Sequence, residues 1–154
     1  MNKINGVYCA ALTPINQDLS INKDLYLRHC QFLMKQGLDG LTLFGTNGEA
    51  SSFSTNQKKE TIQFLLENRI DPKILMPGSG SSSLEDAIDM TKFCADIGTK
   101  AVLVLPPYYF KNVSDEGVIN YYRNVIEACG DNSFRFLLYN IPEHSGVTIN
   151  FNII

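Results

Sequence analysis

Apolar runs and polar turns alternate regularly along this chain. Five short apolar runs have the length and composition of β-strands. These runs are residues 7–13, 41–44, 73–77, 101–105 and 134–139. Between them, apolar residues recur every three or four positions, which is the period of a helix with one buried face. The pattern predicts five strands and four complete helices in strict alternation, with a further helix beginning near Asn150 or Asn152.

Polar residues and glycines mark the ends of the predicted helices. Ser54 with Gln57, and Ser82 with Glu85, have the spacing of a capping box, in which two side chains satisfy backbone amides at a helix start. The other boundary signals are the N-caps Asn22 and Ser114 and the stop glycines Gly37 and Gly98.

Strict alternation of strands and helices predicts a parallel sheet with right-handed crossovers. Two α/β architectures fit: an open doubly wound sheet, or the first five βα units of a (β/α)8 barrel. The length of 154 residues favours the open sheet, since a complete barrel needs about 250 residues. Polar residues after all five strands favour the barrel, because an open sheet concentrates its ligand groups at one switch point. These residues are Thr13, Thr46, Asn47, Ser79, Tyr108, Tyr109 and Tyr139.

Composition and charge exclude several classes of protein. The chain is 44% hydrophobic and 19% charged, which is typical of a globular domain, and its net charge is -3. It has no basic run that could follow a phosphate backbone, so nucleic acid is not an expected partner. No apolar stretch has the length of a membrane span, and the expected location is cytoplasmic.

Cysteine and histidine give no sign of a metal site. The only two histidines, His29 and His144, are not at ligand spacing from each other or from an acidic cluster. The cysteines are far apart, and each falls in an apolar face or strand, so we expect reduced core residues. They are Cys9, Cys30, Cys94 and Cys129.

The loop after the second predicted strand, Gly45-Thr-Asn-Gly-Glu49, is the first candidate site. Gly45 and Gly48 are expected to let the backbone turn sharply and approach a ligand, with Thr46 and Asn47 as hydrogen-bond donors. Most turns of this kind bind nothing. The loop has neither the spacing of a dinucleotide loop nor the Lys-Ser/Thr ending of a P-loop, so nucleotide binding is disfavoured.

One short motif follows each of the five predicted strands. In order they are Leu12-Thr-Pro14, Gly45-Thr-Asn-Gly-Glu49, Gly78-Ser-Gly80, Pro107-Tyr-Tyr109, and Leu138-Tyr-Asn-Ile-Pro142 with Ser145-Gly146. Together they resemble the pyruvate-dependent aldolases of the dihydrodipicolinate synthase and N-acetylneuraminate lyase superfamily. The resemblance runs along the whole chain.

This resemblance implies a (β/α)8 (TIM) barrel lyase in which a lysine forms a Schiff base with pyruvate or with the pyruvyl part of a 2-keto acid. It implies a homo-oligomer that needs no metal or organic cofactor. Tyr139 matches the family's proton-relay tyrosine, and Thr46 matches the hydroxyl that bonds to it. Tyr109, with Tyr108 as the alternative, matches a tyrosine that reaches the relay from a neighbouring subunit. Thr46 and Asn47 would hold the pyruvyl carboxylate.

The sequence departs from the family's pattern at two site positions. Asn47 stands where the family usually has Thr or Ser, which changes a side-chain contact. His144 stands where the synthases carry an arginine for the second substrate's carboxylate. This puts lysine biosynthesis in doubt and favours the lyases or sugar-acid aldolases. A protonated His144 could still bind a carboxylate, and the alternative is a plain surface histidine.

The family's Schiff-base lysine lies at the end of strand six, beyond Ile154. Lys73 and Lys100 are at the wrong ends of strands, Lys111 is the only lysine near the right rim, and most others are expected on helix surfaces. We therefore expect the N-terminal part of one barrel domain, inactive alone. The alternatives are a non-catalytic half-barrel that binds or supports a partner, and an open-sheet phosphate-binding domain.

Overall fold

The computed structural model describes residues 4–130 and 133–154. Its strands are short and its helices carry most of the regular structure. In chain order the elements are β1 (Tyr8–Ala10), α1 (Lys23–Lys35), β2 (Gly40–Thr42), α2 (Thr55–Glu67), α3 (Leu84–Asp96), β3 (Val102–Val104), α4 (Asp115–Cys129), β4 (Phe136–Leu138) and α5 (Pro142–Ser145). Two 3-10 turns cover Ala50–Ser52 and Pro72–Ile74.

All the strand pairings between neighbouring units are parallel. β1 pairs with β2, and β3 pairs with β4. Residues 75–78, here called the bridging segment, join the two pairs through parallel bridges from Leu75 to Leu41 and from Gly78 to Leu103. The units therefore lie side by side in sequence order, and their carboxyl ends meet at one rim. A doubly wound sheet would reverse its strand order at a switch point, and the described residues show no such reversal.

The third predicted strand is only partly present. Lys73 and Ile74 lie in the 3-10 turn that begins at Pro72, so the prediction of a strand over residues 73–77 is wrong for them. Asp71 closes this turn by accepting a hydrogen bond from the Lys73 amide at 2.9 Å. Pro77 has no amide hydrogen, so the amides on either side of it, those of Met76 and Gly78, make the hydrogen bonds to β2 and the residues after it. The other four strands are confirmed with shorter bounds.

The local signals that mark where helices start and stop are confirmed with one exception. Ser54 and Gln57 form the predicted capping box. The cap of α3 is Ser83, which accepts from the Asp86 amide, so the prediction of Ser82 is wrong by one residue. Ser82 instead uses its hydroxyl to accept a hydrogen bond from the Tyr109 amide at 3.1 Å. The remaining signals are confirmed at Asn22, Ser114, Gly37 and Gly98.

The core lies between the sheet and the inner faces of the helices. Tyr26 and Cys30 of α1, and Met90 and Cys94 of α3, are among its buried members. None of the four cysteines forms a disulfide. The expectation that all four are buried core residues is wrong for the remaining two, Cys9 and Cys129, which are only partly buried, although Cys9 packs against the core.

One lysine lies inside rather than on a helix surface. Lys58 is only 9% exposed, because it falls on the buried stripe of α2 with Thr61 and Ile62. Lys58 is thus an exception to the expectation that most lysines lie on helix surfaces. Burial lowers the pKa of its ammonium, and the carboxylate of Asp86 acts in the opposite direction.

The segment after α5 forms a turn. Asn150 accepts hydrogen bonds from the Asn152 amide through its side chain at 2.8 Å and from the Ile153 amide through its carbonyl at 3.1 Å, and residues 151–153 form a turn. Among the helices that the structure describes, none has both the length and the apolar character needed to cross a bilayer.

Candidate functional site

A cavity of about 290 Å³ opens at the rim where the carboxyl ends of β2, β3 and β4 meet. Three predicted site residues line it: Thr46, Tyr139 and His144. The polar part of the wall also includes Tyr108, Ser51, Ser52 and Glu49. Ligand sites in parallel α/β folds form at this end of the strands, because the loops that follow the strands converge there.

The loop that carries Thr46 turns through two non-glycine residues. Phe44 and Glu49 have left-handed backbones, with φ of 54° and 51°. Gly45 and Gly48 do not have positive φ, so the expectation that they make the turn is wrong. Gly48 is needed for space, because a Cβ there would lie 2.9 Å from the Ala11 carbonyl oxygen.

Buried aromatic contacts hold Phe44 in this conformation. A left-handed backbone costs a non-glycine residue about 1–2 kcal/mol. The Phe44 ring is fully buried and packs edge to face against Tyr26 at 5.7 Å and against Phe53 at 6.3 Å between centroids. Burying a phenylalanine stabilises by about 1.5–3 kcal/mol, which offsets the strain. The core therefore fixes the direction in which the loop leaves β2.

The far end of the loop is attached to the segment after β1. Thr13 Oγ1 donates a hydrogen bond to the Gly48 carbonyl at 2.7 Å. The Glu49 amide closes the turn on the Thr46 carbonyl at 3.0 Å. Within residues 4–130 and 133–154, the backbone amides of Thr46 and Asn47 donate to no protein acceptor. They remain available to an anionic ligand.

The hydroxyls of Thr46 and Tyr139 face each other across the cavity. Thr46 Oγ1 lies 3.5 Å from Tyr139 Oη, at the outer limit of a hydrogen bond. The two residues are 93 positions apart, so only the parallel sheet brings them together. The Tyr139 amide donates to the Val104 carbonyl at 2.9 Å, which fixes its backbone at the end of β4.

The two tyrosines of the aromatic loop, residues 106–111, point in different directions. Tyr108 lines the cavity, and its Oη accepts a hydrogen bond from Ser51 Oγ at 3.1 Å. Tyr109 is 74% exposed and packs edge to face on Phe110, which is 70% exposed. The structure thus places Tyr108, and not Tyr109, in the cavity of its own chain.

Of the two remaining predicted site residues, His144 lines the cavity and Asn47 does not. Asn47 is exposed and lines a separate groove beside Thr13, His29 and Glu49, so its side chain does not join Thr46 in the cavity. His144 is an exposed residue in the last turn of α5, and it does line the cavity.

Hydrogen bonds from Asn140 hold the turn that carries His144. Its side chain accepts from the Ile149 amide at 3.0 Å and donates to the Ile149 carbonyl at 3.3 Å. Sequence reasoning did not assign this role, although Asn140 stands inside the Asn-Ile-Pro motif. The turn is therefore a closed unit that presents His144 to the cavity.

Tyr121 of α4 supports the turn after the bridging segment. Its Oη donates to the Ser81 carbonyl at 2.7 Å and accepts from the Ser81 amide at 3.2 Å. Burial raises the pKa of the Tyr121 phenol to about 12. No sequence signal separated Tyr121 from the other apolar positions of α4.

The cavity is lined by hydroxyls, backbone amides, one imidazole and the acidic residue Glu49. Among the described residues, no group of three or more His, Cys, Asp or Glu side chains is placed to hold a metal ion. Paired hydroxyls can pass a proton, and free amides can bind a carboxylate. The arrangement suits proton transfer on a small anionic substrate.

The fold and cavity define an α/β protein whose candidate site lies at the carboxyl ends of parallel strands, as in barrel enzymes. The chain belongs to the dihydrodipicolinate synthetase family, whose model matches residues 3–154.

Relatives and solved structures agree with this assignment. The chain is 30% identical to the 4-hydroxy-tetrahydrodipicolinate synthase of Methanothrix thermoacetophila, covering 97% of this chain and 48% of the relative. The crystal structure of dihydrodipicolinate synthase from Agrobacterium tumefaciens matches with a TM-score of 0.90 at 32% identity, over 96% of this chain and 52% of that one. A 2-keto 3-deoxygluconate aldolase from Picrophilus torridus matches with a TM-score of 0.85 at 29% identity, over 96% and 52%. The chain spans about half the length of the curated relatives it matches.

Proposed function

We propose that this chain is the pyruvate-handling part of a Schiff-base aldolase or lyase. Its residues 1–154 would form the first five βα units of one (β/α)8 barrel domain. The observation that carries the proposal is the Thr46–Tyr139 hydroxyl pair in a cavity at the carboxyl rim. The similarity to a 4-hydroxy-tetrahydrodipicolinate synthase and to a 2-keto 3-deoxygluconate aldolase supports it.

In the proposed mechanism Tyr139 is the acid and base. Forming an imine and making or breaking the neighbouring carbon–carbon bond both require proton transfers at positioned groups. The Tyr139 phenol gives or takes the proton at Oη, and Thr46 Oγ1 polarises the phenol from 3.5 Å away. Catalytic hydrogen bonds are often long in an empty site and shorten when substrate binds.

The free amides of Thr46 and Asn47 bind the pyruvyl carboxylate. Their backbone groups supply this contact, so the exposed position of the Asn47 side chain does not prevent it. His144 lines the same cavity and, when protonated, would bind the carboxylate or a hydroxyl of the second substrate. This substrate is an aldehyde that joins pyruvate, or the corresponding half of a 2-keto sugar acid.

Tyr109 is proposed to complete the relay of a second subunit. Its phenol is too exposed to act in its own cavity, yet an exposed aromatic pair with Phe110 suits burial between copies of the chain. The proposed protein is a cytoplasmic homo-oligomer without a metal or organic cofactor. Its Schiff-base lysine lies outside residues 1–154, so this chain alone is inactive.

Trapping with pyruvate and borohydride tests the proposal. The natural protein and the 154-residue chain are treated in parallel, and their intact masses are measured. We expect one reduced pyruvyl group on the natural protein and none on the 154-residue chain. A natural protein that stays unmodified would exclude aldol chemistry. An adduct on the short chain would show that the essential lysine is present after all.

A second candidate, a non-catalytic half-barrel that pairs with another copy, is favoured by the apolar residues beside the outer strands. Val7 and Leu12, on either side of β1, are 65% and 58% exposed. Unpaired strand edges with exposed apolar side chains promote association. A sharp monomeric peak in size-exclusion chromatography, with cooperative unfolding, would count against this candidate. Tight mononucleotide binding without a response to pyruvate would instead support an open-sheet phosphate-binding domain.

A further inference from the structure

The aromatic loop forms one wall of the cavity, and the turn of residues 141–146 forms another. Tyr108 belongs to the first wall and His144 to the second. These two segments follow different strands, β3 and β4. The distance between the walls therefore depends on what joins the segments.

Lys111 joins them through its ammonium group. Lys111 Nζ donates hydrogen bonds to the backbone carbonyls of Tyr108 and Ser145, the latter at 2.9 Å. An ammonium has three donors and no acceptor, so it can bridge two carbonyls at once. Hydrogen bonds from a charged donor are about twice as strong as neutral ones.

Ser145, whose carbonyl accepts the hydrogen bond from Lys111, is fixed in the turn of residues 141–146 by its own contacts. Ser145 is fully buried, and its Oγ lies 2.9 Å from the Val147 carbonyl and 3.1 Å from the Ile141 carbonyl. The same oxygen accepts from the Val147 amide at 3.1 Å. Lys111 thus ties the exposed aromatic loop to a rigid part of the chain.

The turn leaves room for the lysine side chain. A Cβ built at Gly146 would lie 2.9 Å from Lys111 Cδ and 3.0 Å from its Nζ. Gly146 also has a left-handed backbone with φ of 67°. A side chain at this position would displace the lysine, so Gly146 and Lys111 fit together.

We propose that Lys111 is a positioning residue that fastens the aromatic loop to the turn of residues 141–146 and so sets the separation of Tyr108 and His144. The effect on pyruvate rests on the proposed function, whereas the attachment of the loop does not. Lys111 Nζ is engaged by the Tyr108 and Ser145 carbonyls, and we therefore do not assign it the role of the Schiff-base lysine.

Limited proteolysis of the natural protein with chymotrypsin tests the attachment. The protease cuts after Tyr109 and Phe110 only when the loop opens, and its rate follows the open population. Because these residues are also proposed to lie between subunits, rates are compared only among variants that have the same size-exclusion profile. We expect Lys111→Met to raise this rate about tenfold, because two charge-assisted hydrogen bonds are lost. Lys111→Arg should restore slow cleavage. Lys73→Met, which removes an exposed lysine from a distant turn, should leave it unchanged.

Cleavage after the exposed Phe151 provides an internal reference in the same digest. An unchanged rate at the aromatic loop of folded Lys111→Met would overturn the proposal. If that variant lacks the native circular dichroism spectrum, Lys111→Gln is measured instead, and an unchanged rate there has the same meaning.

Pyruvate trapping on the same variants separates this inference from the proposed function. We expect Lys111→Met to raise the pyruvate concentration needed for half-maximal trapping, and Lys111→Arg to restore it. Faster loop cleavage in a natural protein that never takes up pyruvate would support the attachment and reject the aldolase. Faster cleavage with unchanged pyruvate dependence would overturn the role of Lys111 in setting the cavity.

Discussion

The rings of Tyr26 and Phe44 meet edge to face, with centroids 5.7 Å apart and planes at 89°. Tyr26 belongs to α1, and Phe44 is the left-handed residue directly before the Gly45–Thr46 turn. The Tyr26 ring therefore packs beneath the loop of the candidate site. Its Oη makes no hydrogen bond within the described residues, although the Thr13 side chain and the Phe44 backbone lie near it.

The ring of Tyr26 should stabilise the protein, and its hydroxyl should not. We expect Tyr26→Phe to leave the free energy of unfolding unchanged or to raise it by about 1 kcal/mol, because an unsatisfied buried hydroxyl is removed. Tyr26→Ala should lower it by about 3–5 kcal/mol through loss of the buried ring. Urea denaturation measures both changes.

Tyr122→Phe is the matched control. Tyr122 is also buried, but its Oη donates to the Val104 carbonyl at 3.3 Å. Its removal should lower the free energy of unfolding by about 1 kcal/mol. A loss at Tyr26→Phe as large as that at Tyr122→Phe would show that the Tyr26 hydroxyl is bonded in solution.

Gly78 and Gly45 should respond differently to a methyl group. A Cβ at Gly78 would lie 2.1 Å from the Phe44 carbonyl oxygen, whereas a Cβ at Gly45 would meet only Thr42 Cγ2 at 3.6 Å. We expect Gly78→Ala to lower the free energy of unfolding by about 2 kcal/mol or more, through forced backbone movement. Gly45→Ala should change it by less than about 0.5 kcal/mol. Equal effects in urea denaturation would contradict the close packing of the bridging segment on the loop.

The Thr46–Tyr139 pair should act as one unit in catalysis. In the natural protein, Tyr139→Phe should lower kcat by about 10²–10⁴-fold, the range of a positioned acid or base. Thr46→Val should cause a smaller loss, and the double variant should be no slower than Tyr139→Phe alone, because groups that act together are not additive. Independent losses that multiply would show that the two hydroxyls do not cooperate.

Sequence reasoning succeeded where the signal is local. The Ser54–Gln57 capping box depends on two residues three positions apart, and the structure has it as predicted. Sequence reasoning was wrong where a distant residue competes for the same side chain. Ser82 does not cap α3, because its hydroxyl accepts a hydrogen bond from the Tyr109 amide, 27 positions away. The prediction of a strand over residues 73–77 is wrong for its first two residues, because the 3-10 turn that begins at Pro72 extends to Ile74.

For the candidate site, too, sequence reasoning identified some residues correctly and could not predict contacts that depend on distant parts of the chain. The resemblance named Thr46 and Tyr139, and the sheet brings their hydroxyls together across 93 positions. No local pattern could show that the side chain of Asn47 leaves the cavity, because the left-handed backbones of Phe44 and Glu49 set its direction. Lys111 likewise appeared only as a lysine near the rim, since its acceptors come from two separate loops.

Lys58 should cost stability at neutral pH. It is buried on α2, and among the described residues no carboxylate lies within ion-pair distance of its Nζ. We expect Lys58→Met to raise the free energy of unfolding by about 1 kcal/mol in urea denaturation at pH 7, because a desolvated charge is removed. Lys59→Met is the control, and it should give no gain, since Lys59 pairs with Asp89.

The stability that Lys58→Met gains should decrease as the pH rises. Burial lowers the pKa of the folded state, so the penalty is complete below the folded pKa and disappears as pH rises toward the unfolded value of 10.5. The advantage of Lys58→Met should therefore shrink between neutral pH and about pH 10.5. An advantage that stays constant over this range would show that the effect comes from packing and not from charge.

Tyr121 should make the protein sensitive to alkali. Its folded pKa is raised to about 12, against 10.0 for an unperturbed tyrosine. Below pH 10 both states keep the proton and stability is unaffected. Between pH 10 and about 12 the unfolded state loses the proton first, so it binds fewer protons and the free energy of unfolding falls as pH rises.

Comparison with Tyr121→Phe isolates this contribution. The variant should be less stable than the parent at pH 8, because the two hydrogen bonds to Ser81 are lost. Its free energy of unfolding should then fall less steeply above pH 10, by up to about 1.4 kcal/mol per pH unit. Buried groups away from Tyr121, such as Tyr26 and Cys30, contribute equally to both proteins and cancel in the difference. Tyr122 does not cancel fully, because the Tyr121 charge helps to raise its pKa and the variant removes that charge. If the free energies of unfolding of parent and variant fall in parallel from pH 8 to pH 11.5, the raised pKa of a buried Tyr121 is contradicted. If the two curves converge above pH 10, the result supports a buried Tyr121 that holds the turn at Ser81.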